Sequence, residues 1–294
     1  MKFLVFGCTG QVATELRRLG GDAIEALDRD AADLSAPADC AALVARTDAG
    51  AIINAAAFTA VDQAETQAAL AMTVNGDAPA EMARAAAARN LPFVQISTDY
   101  VFDGSGTAPW QPEDATAPLD VYGRTKLAGE DGVRAAGGRY AILRTSWVFS
   151  AHGANFVRTM LRLGAARDRL SIVADQVGGP TPAADIAAAC LSIARMLHAG
   201  QGASGTFHFA GTPDVSRADF ARAIFERTGL GCQVIDIATS EYPTPAQRPL
   251  NSRLDCSATE ATFAIRRPDW RAGLADVLDE LQADIPERSP RHDA

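Results

Sequence analysis

Five short apolar runs punctuate the first half of the chain, each too short for a helix and each separated from the next by a helical pattern. Phe3-Leu4-Val5-Phe6 reads as a buried strand, followed by Ala23 to Leu27, Ala51 to Asn54, Phe93 to Ser97 and Ala141 to Arg144. Gln11 to Leu19 and the alanine-rich stretch Asp77 to Arg89 carry helical periodicity, and a further helix carries Tyr122 and Lys126 ahead of the fifth strand. Strand and helix alternate, and right-handed crossovers then build one sheet covered on both faces. The predicted fold is α/β, a Rossmann-type doubly wound parallel sheet.

Beyond about residue 150 the texture changes. Helices are predicted at Asn155 to Leu163, Ala183 to His198, Ser216 to Thr228 and Asp269 to Leu281, the last followed by a polar tail expected to fray. Irregular stretches, Ala174 to Pro182 and Glu241 to Pro249, lie between them. This half reads as a smaller α/β substrate-binding domain, with its Pro-rich loops readable equally as plain connectors. The division expected is residues 1–150 with the helix at about 183–200 for the nucleotide-binding unit, and about 151–182 with 201–294 for the substrate unit.

Composition narrows the function classes. The 294 residues are 48% hydrophobic and 21% charged, an ordinary globular balance with ample material for a core. A formal net charge of −9 argues against nucleic acid or an anionic membrane as partner and favours a small molecule. Five scattered cysteines and four histidines show neither disulfide nor metal-ligand spacing. No segment reaches about 18 uninterrupted apolar residues, so no membrane span and a cytoplasmic location are expected.

Gly7-Cys8-Thr9-Gly10-Gln11-Val12-Ala13 follows the first strand and opens the first helix, where unpaired backbone N–H groups and the helix dipole attract a pyrophosphate. Its Gly-x-x-Gly-x-x-Ala spacing differs from Gly-x-Gly-x-x-Gly, but the strand-loop-helix setting matches a dinucleotide site, with Gly7, Gly10, Gln11 and Val12 as contacts. Asp28 ends the second strand about 20 residues on, placed for an adenosine ribose, while Arg29 beside it suits a 2'-phosphate. NADH and NADPH therefore both stay open. Asp33 and Leu34 are candidates for the adenine, and Ala55, Ala56 and Ala57 after the third strand let a dinucleotide approach, although small residues also serve ordinary packing.

Lysine is scarce: of 27 basic residues only Lys2 and Lys126 are lysines, and Lys126 stands four residues after Tyr122. With four tyrosines in the chain, the chance odds of such a spacing are about 0.03. The i, i+4 spacing sets both on one helical face, where an ammonium is expected to lower the phenol's pKa toward working pH and make a proton donor. Ser97 and Thr98 end the fourth strand at the carboxyl edge of the sheet, where such folds bind ligands. Thr98, Tyr122 and Lys126 with the glycine loop fill the roles of carbonyl reduction: orientation, protonation and cofactor positioning.

On these residues the chain resembles the extended short-chain dehydrogenase/reductase superfamily and, within it, the dTDP-4-dehydrorhamnose reductase family. The likeness runs through Gly7 to Val12, Asn54-Ala55-Ala56-Ala57-Phe58-Thr59-Ala60-Val61-Asp62, Ser97 to Phe102, Val121 to Glu130, Arg144 to Phe149, Asp175-Gln176 and Arg248 to Leu254, nearly the whole chain. The resemblance implies NADPH- or NADH-dependent reduction of the 4-keto group of dTDP-4-dehydro-L-rhamnose. It implies Tyr122 as proton donor, Lys126 on the nicotinamide ribose and Thr98 on the ketone. It adds Phe58 and Thr59 to the cofactor contacts and Val61, Asp99 and Trp147 to those of the nucleotide-sugar, with Trp147 near the hexose. Asn251 and Arg253 become candidates for the nucleotide half, since an arginine can grip a diphosphate; solvated loop residues are the other reading of both.

Two departures stand out. Phe58 replaces a frequent histidine and Ala13 a glycine. Some members form homodimers bridged by magnesium on carboxylates; Glu15 and Glu280 match two of these, but Ala184 holds the third place, so magnesium is doubtful and the glutamates read as exposed helical residues. Beside the leading reading stand a related nucleotide-sugar 4-ketoreductase of other stereochemistry and a non-catalytic regulatory subunit of the same fold.

Overall fold

A computed structural model describes residues 1–283, and the polar tail lies outside the described residues. In chain order the elements of the first half are β1 (Phe3–Phe6), α1 (Gln11–Gly20), β2 (Ile24–Leu27), α2 (Pro37–Arg46), β3 (Ala51–Asn54), α3 (Val61–Ala64), α4 (Ala68–Met72), α5 (Ala78–Ala88), β4 (Phe93–Thr98), α6 (Val121–Ala136) and β5 (Tyr140–Thr145). The second half supplies β6 (Val148–Phe149), α7 (Phe156–Ala166), β7 (Arg169–Val173), β8 (Val177–Gly178), β9 (Thr181–Pro182), α8 (Ala183–His198), β10 (Gly205–His208), β11 (Val215–Ser216), α9 (Arg217–Thr228), β12 (Gln233–Ile237), β13 (Asn251–Ser252), α10 (Ser257–Phe263) and α11 (Trp270–Ala283).

Six strands pair in parallel in the order β10-β5-β4-β3-β1-β2. β1 and β3 are buried at every position, which is why they read as continuous apolar runs: each face is covered by helices. Phe3, Val5 and Leu143 point to α1 and α8; Leu4, Phe6 and Ile142 point to α2, α5 and α6. From β1 the chain moves to β2 on one side and to β3 on the other. That reversal opens a crevice at the carboxyl ends of β1 and β3.

The pattern predicts five strands and the sheet has six. β10 comes from residue 205 onward, inside the stretch assigned by sequence to the substrate unit, and pairs with β5. α8 also packs on this sheet, burying Ile186, Ala187, Cys190 and Ile193. The chain therefore weaves between its two cores more often than a single boundary implies.

The second core gathers Phe149, Met160, Ile172, Phe220, Trp270 and Leu274 from β6, α7, β7, α9 and α11. Phe220 is its hub, with ring centroids 5.5 Å from Phe149 and 5.3 Å from Trp270. A parallel pair, β7 with β12, flanks it, and a small sheet β11-β8-β13 runs toward the crevice. Ser150 Oγ and Asn155 Nδ2 each donate to Gln11 Oε1 at 3.0 Å, tying this core to the start of α1.

Candidate active site

Between the strand ends and the second core lies a cleft of about 940 Å³. Its floor begins at the glycine loop. Gly7 has φ +108°, a conformation that disfavours any side chain, and a Cβ there would press on the Ala55-Ala56 backbone. Gly10 caps α1 without any side-chain hydrogen bond, so the N–H groups of the first turn stay available and aimed at the cleft. These donors suit a pyrophosphate, and the residues present fit a dinucleotide.

The opposite end of the cleft holds the chemistry. β4 delivers Thr98, whose Oγ1 donates to Asp99 Oδ1 at 3.1 Å and accepts from Tyr100 N at 3.2 Å. α6 starts at Asp120, whose carboxylate accepts from Gly123 N at 2.6 Å, and so fixes where Tyr122 emerges. Gly123 is what lets α6 come this close: a Cβ there would collide with the Tyr100 carbonyl oxygen. Tyr122 meets Tyr100 edge-on, with ring centroids 5.6 Å apart.

Burial pushes the Tyr122 phenol well above its ordinary pKa, and its contact with the Thr98 hydroxyl only partly opposes this. The expected lowering by Lys126 is not found, because Lys126 Nζ donates at 2.8 Å to the Ile96 carbonyl and not to the phenol. Tyr122 is thus a neutral hydroxyl with its proton in place. Burial brings Lys126 down to about 8, against the opposing pull of Glu130 one turn further along α6. Glu130 is completely buried and braces the site from beneath: it accepts from Ser97 at 2.5 Å and pairs with Arg144 at 2.7 Å and Arg134 at 2.6 Å. Burial alone would raise its pKa, but the bonds and charge of Arg144 outweigh that and hold it below the usual range.

Asp99 is 2% exposed, and burial lifts its carboxyl to about 6 despite hydrogen bonds from Ser252 and Thr98. Among the described residues its Oδ2 accepts no hydrogen bond. Trp147 sits between β5 and β6 with φ +49°, a strained backbone for a bulky residue, and its ring faces the cleft over Gly178.

The structure brings nearly all the residues singled out in the sequence to this one cleft: Gly7, Gly10, Gln11 and Val12; Asp28, Arg29, Asp33 and Leu34; Ala55 to Thr59; and Val61, Thr98, Asp99, Tyr122, Lys126 and Trp147. Several have local duties as well. Asp28 accepts from Ala31 N at 2.9 Å, Asp33 from Ser35 N at 2.9 Å, and Arg29 lies 3.7 Å from Asp33. Asn251 and Arg253 are not brought to the cleft wall. Asn251 is buried and donates to the Ser105 and Ala108 carbonyls, while Arg253 Nη1 donates to Asn251 Oδ1 at 3.0 Å. Glu15 corrects the picture of exposed helical glutamates. It is buried, receives Arg18 Nε at 2.7 Å and lies 3.3 Å from His152 Nε2, which also lies 3.5 Å from Glu280. The close packing of α1 on the loop before α7 causes that burial.

Sequence reasoning missed Asn75 and Arg217. Asn75, in a π-helical turn, accepts from Phe58 N at 2.8 Å and donates to Phe58 O at 3.1 Å and Thr125 Oγ1 at 3.1 Å, coupling the cofactor loop to α6. Arg217 opens α9 and faces the cleft, stacked on Trp147. No linear spacing signals either contact.

The RmlD substrate binding domain family matches residues 1–283. A dTDP-4-dehydrorhamnose reductase of Sinorhizobium fredii (strain NBRC 101917 / NGR234) is 44% identical over 278 residues, covering 92% of this chain and 94% of its own length. The chain belongs to the dTDP-4-dehydrorhamnose reductase family. Two crystal structures from the family share its fold. One, from Clostridium acetobutylicum ATCC 824, is 37% identical with a TM-score of 0.89 over 96% of this chain and all of its own. The other, from Bacillus anthracis str. Ames in complex with NADP, is 32% identical with a TM-score of 0.87 over 95% of this chain and all of its own. Family members are thus oxidoreductases, and this chain spans their length.

Proposed function

We propose that the protein reduces the 4-keto group of dTDP-4-dehydro-L-rhamnose to give dTDP-L-rhamnose, using NADPH or NADH. The observation that carries the reading is the convergence of Thr98, Tyr122 and Lys126 at one end of a cleft whose other end is an uncapped helix N-terminus behind Gly7 and Gly10. When bound, a reduced nicotinamide supplies the hydride that goes to the carbonyl carbon. The chain supplies the rest: Tyr122 gives its proton to the carbonyl oxygen, so that ketone becomes secondary alcohol, and Thr98 orients that oxygen by hydrogen bonding. A phenol kept neutral by burial is competent for this because donation requires the proton to be present. Lys126, anchored on Ile96 O, presents its remaining N–H groups to the cleft, where they suit the hydroxyls of a ribose.

Five free cysteines accord with a reducing, cytoplasmic setting, and no described helix is long and apolar enough to cross a membrane. Purified protein given the sugar nucleotide and either reduced cofactor should oxidise that cofactor, with NMR assigning the product's C4 configuration. Absence of turnover by folded protein rejects the reading. Tyr122→Phe should lower kcat by about 100-fold or more while cofactor affinity stays within a few-fold.

A further inference from the structure

Arg217 is the first residue of α9, and its guanidinium carbon stands 3.7 Å above the Trp147 ring centroid and 5.3 Å from that of Phe156. It shares the cleft wall with Asp99, Tyr100 and Trp147. Among the described residues no carboxylate lies within 4.0 Å of it, and its side chain makes no hydrogen bond. The other arginine on the cleft wall, Arg29, has Asp33 beside it. Arg248, a cation whose field reaches Arg217, is paired with Asp62 at 2.9 Å. Arg217 is therefore a half-buried positive charge that feels the field of Asp99 but is bonded to no carboxylate, held in place by its aromatic stack with its planar fork of N–H donors left unspent.

Such an arrangement costs stability unless an anion completes it. The cofactor's own phosphates have their cradle at the start of α1, on the far side of the catalytic trio. Of the parts of a sugar nucleotide, thymine, deoxyribose and the keto-hexose are uncharged and only the diphosphate is anionic. A guanidinium edge matches a pair of phosphate oxygens, and the N-terminal end of α9 adds charge of the same sign. We propose that Arg217 binds the diphosphate of the sugar-nucleotide substrate and thereby restricts the enzyme to nucleoside-diphosphate sugars. This rests on the reductase reading above. It also moves the anion-gripping role from Arg253, whose guanidinium is engaged by Asn251, to a residue on the cleft wall.

The test compares wild type, Arg217→Met and Arg217→Lys as NADP-loaded full-length chains, titrated calorimetrically with dTDP, dTMP and thymidine. Arg217→Met should weaken dTDP by about 10- to 100-fold, dTMP by less and thymidine by less than about twofold, with NADP affinity unchanged. Arg217→Lys should recover part of the loss. Equal weakening of dTDP and thymidine would show a packing role only and overturn the proposal, as would dTDP affinity that does not change, or wild type that binds no dTDP. Turnover by wild type tests the underlying reading separately. If wild type reduces nothing while Arg217→Met still loses dTDP selectively, the reductase reading falls and the diphosphate site stands.

Discussion

Burial sets the chemistry of individual residues here, and it does so in opposite senses for Lys126 and Asp99. Burial brings Lys126 down to about 8, so its ammonium is lost just above physiological pH. Because kcat/KM reports the free enzyme, kcat/KM for NADPH should fall tenfold per pH unit above about 8. Lys126→Arg, whose guanidinium keeps its charge, should abolish that alkaline limb whatever it does to the maximum rate; a wild-type profile flat to pH 10 would contradict the assignment. Asp99 is a carboxyl raised to about 6 from an ordinary 3.8. A raised acid binds more protons folded than unfolded between those values, so stability declines as pH rises from about 4 to 6, and the full cost is present above 6. Two units correspond to about 3 kcal/mol. Asp99→Asn should therefore raise Tm at pH 7.5 by several degrees, lose that advantage near pH 4, and impair catalysis at both. Thermal melts at the two pH values decide this, and an advantage independent of pH would refute it.

At the scale of elements, the site depends on how near α6 can come to the end of β4. Gly123 permits that approach, and nothing but hydrogen fits between it and the Tyr100 carbonyl. Gly123→Ala gains helix propensity of up to about 1 kcal/mol in an isolated helix, yet here it must push the first turn of α6 outward, an overpacking cost of about 1–3 kcal/mol. Tyr122 and Lys126 ride on that turn. A displacement of the order of 1 Å should cost about 100-fold in kcat while NADPH binding, built mainly on α1 and β2, changes little. Steady-state kinetics beside a cofactor titration would show the split, and equal losses in both would point to general unfolding. The glycine inside Tyr122-Gly123-Arg124-Thr125-Lys126 is legible in the sequence, but its purpose is not, since the atom it avoids lies on a different element.

Across the whole molecule, the parallel sheet was readable because its central strands are buried on both faces and therefore spell uninterrupted apolar runs, as in Phe3-Leu4-Val5-Phe6. α8 was readable for the same reason, whereas β10, four residues with only Phe207 and His208 buried, carries too little pattern to announce a sixth strand. The cleft's lower half follows from local loops and was legible. Its upper wall is assembled from Trp147 and Arg217, 70 positions apart in sequence, and only packing brings them together. The two halves also meet at a strap. Asp62, at the start of α3 beside the cleft residue Val61, accepts from Ala246 N at 3.2 Å and pairs with Arg248 Nη2 at 2.9 Å, pinning the segment before β13 next to the Val61 wall of the cleft. Asp62 is 43% exposed on its side chain, so the ion pair contributes at most about 1 kcal/mol and Tm should fall by no more than about 2–4 °C in Asp62→Ala. Its kinetic effect should be larger, because an unpinned strap must be ordered whenever substrate binds. KM for the sugar nucleotide should rise several-fold with KM for NADPH unchanged, since among the described residues the cofactor loops at Gly7 and Asp28 share no hydrogen bond with the strap. If the two KM values rise together, the strap is holding the whole cleft rather than its substrate side.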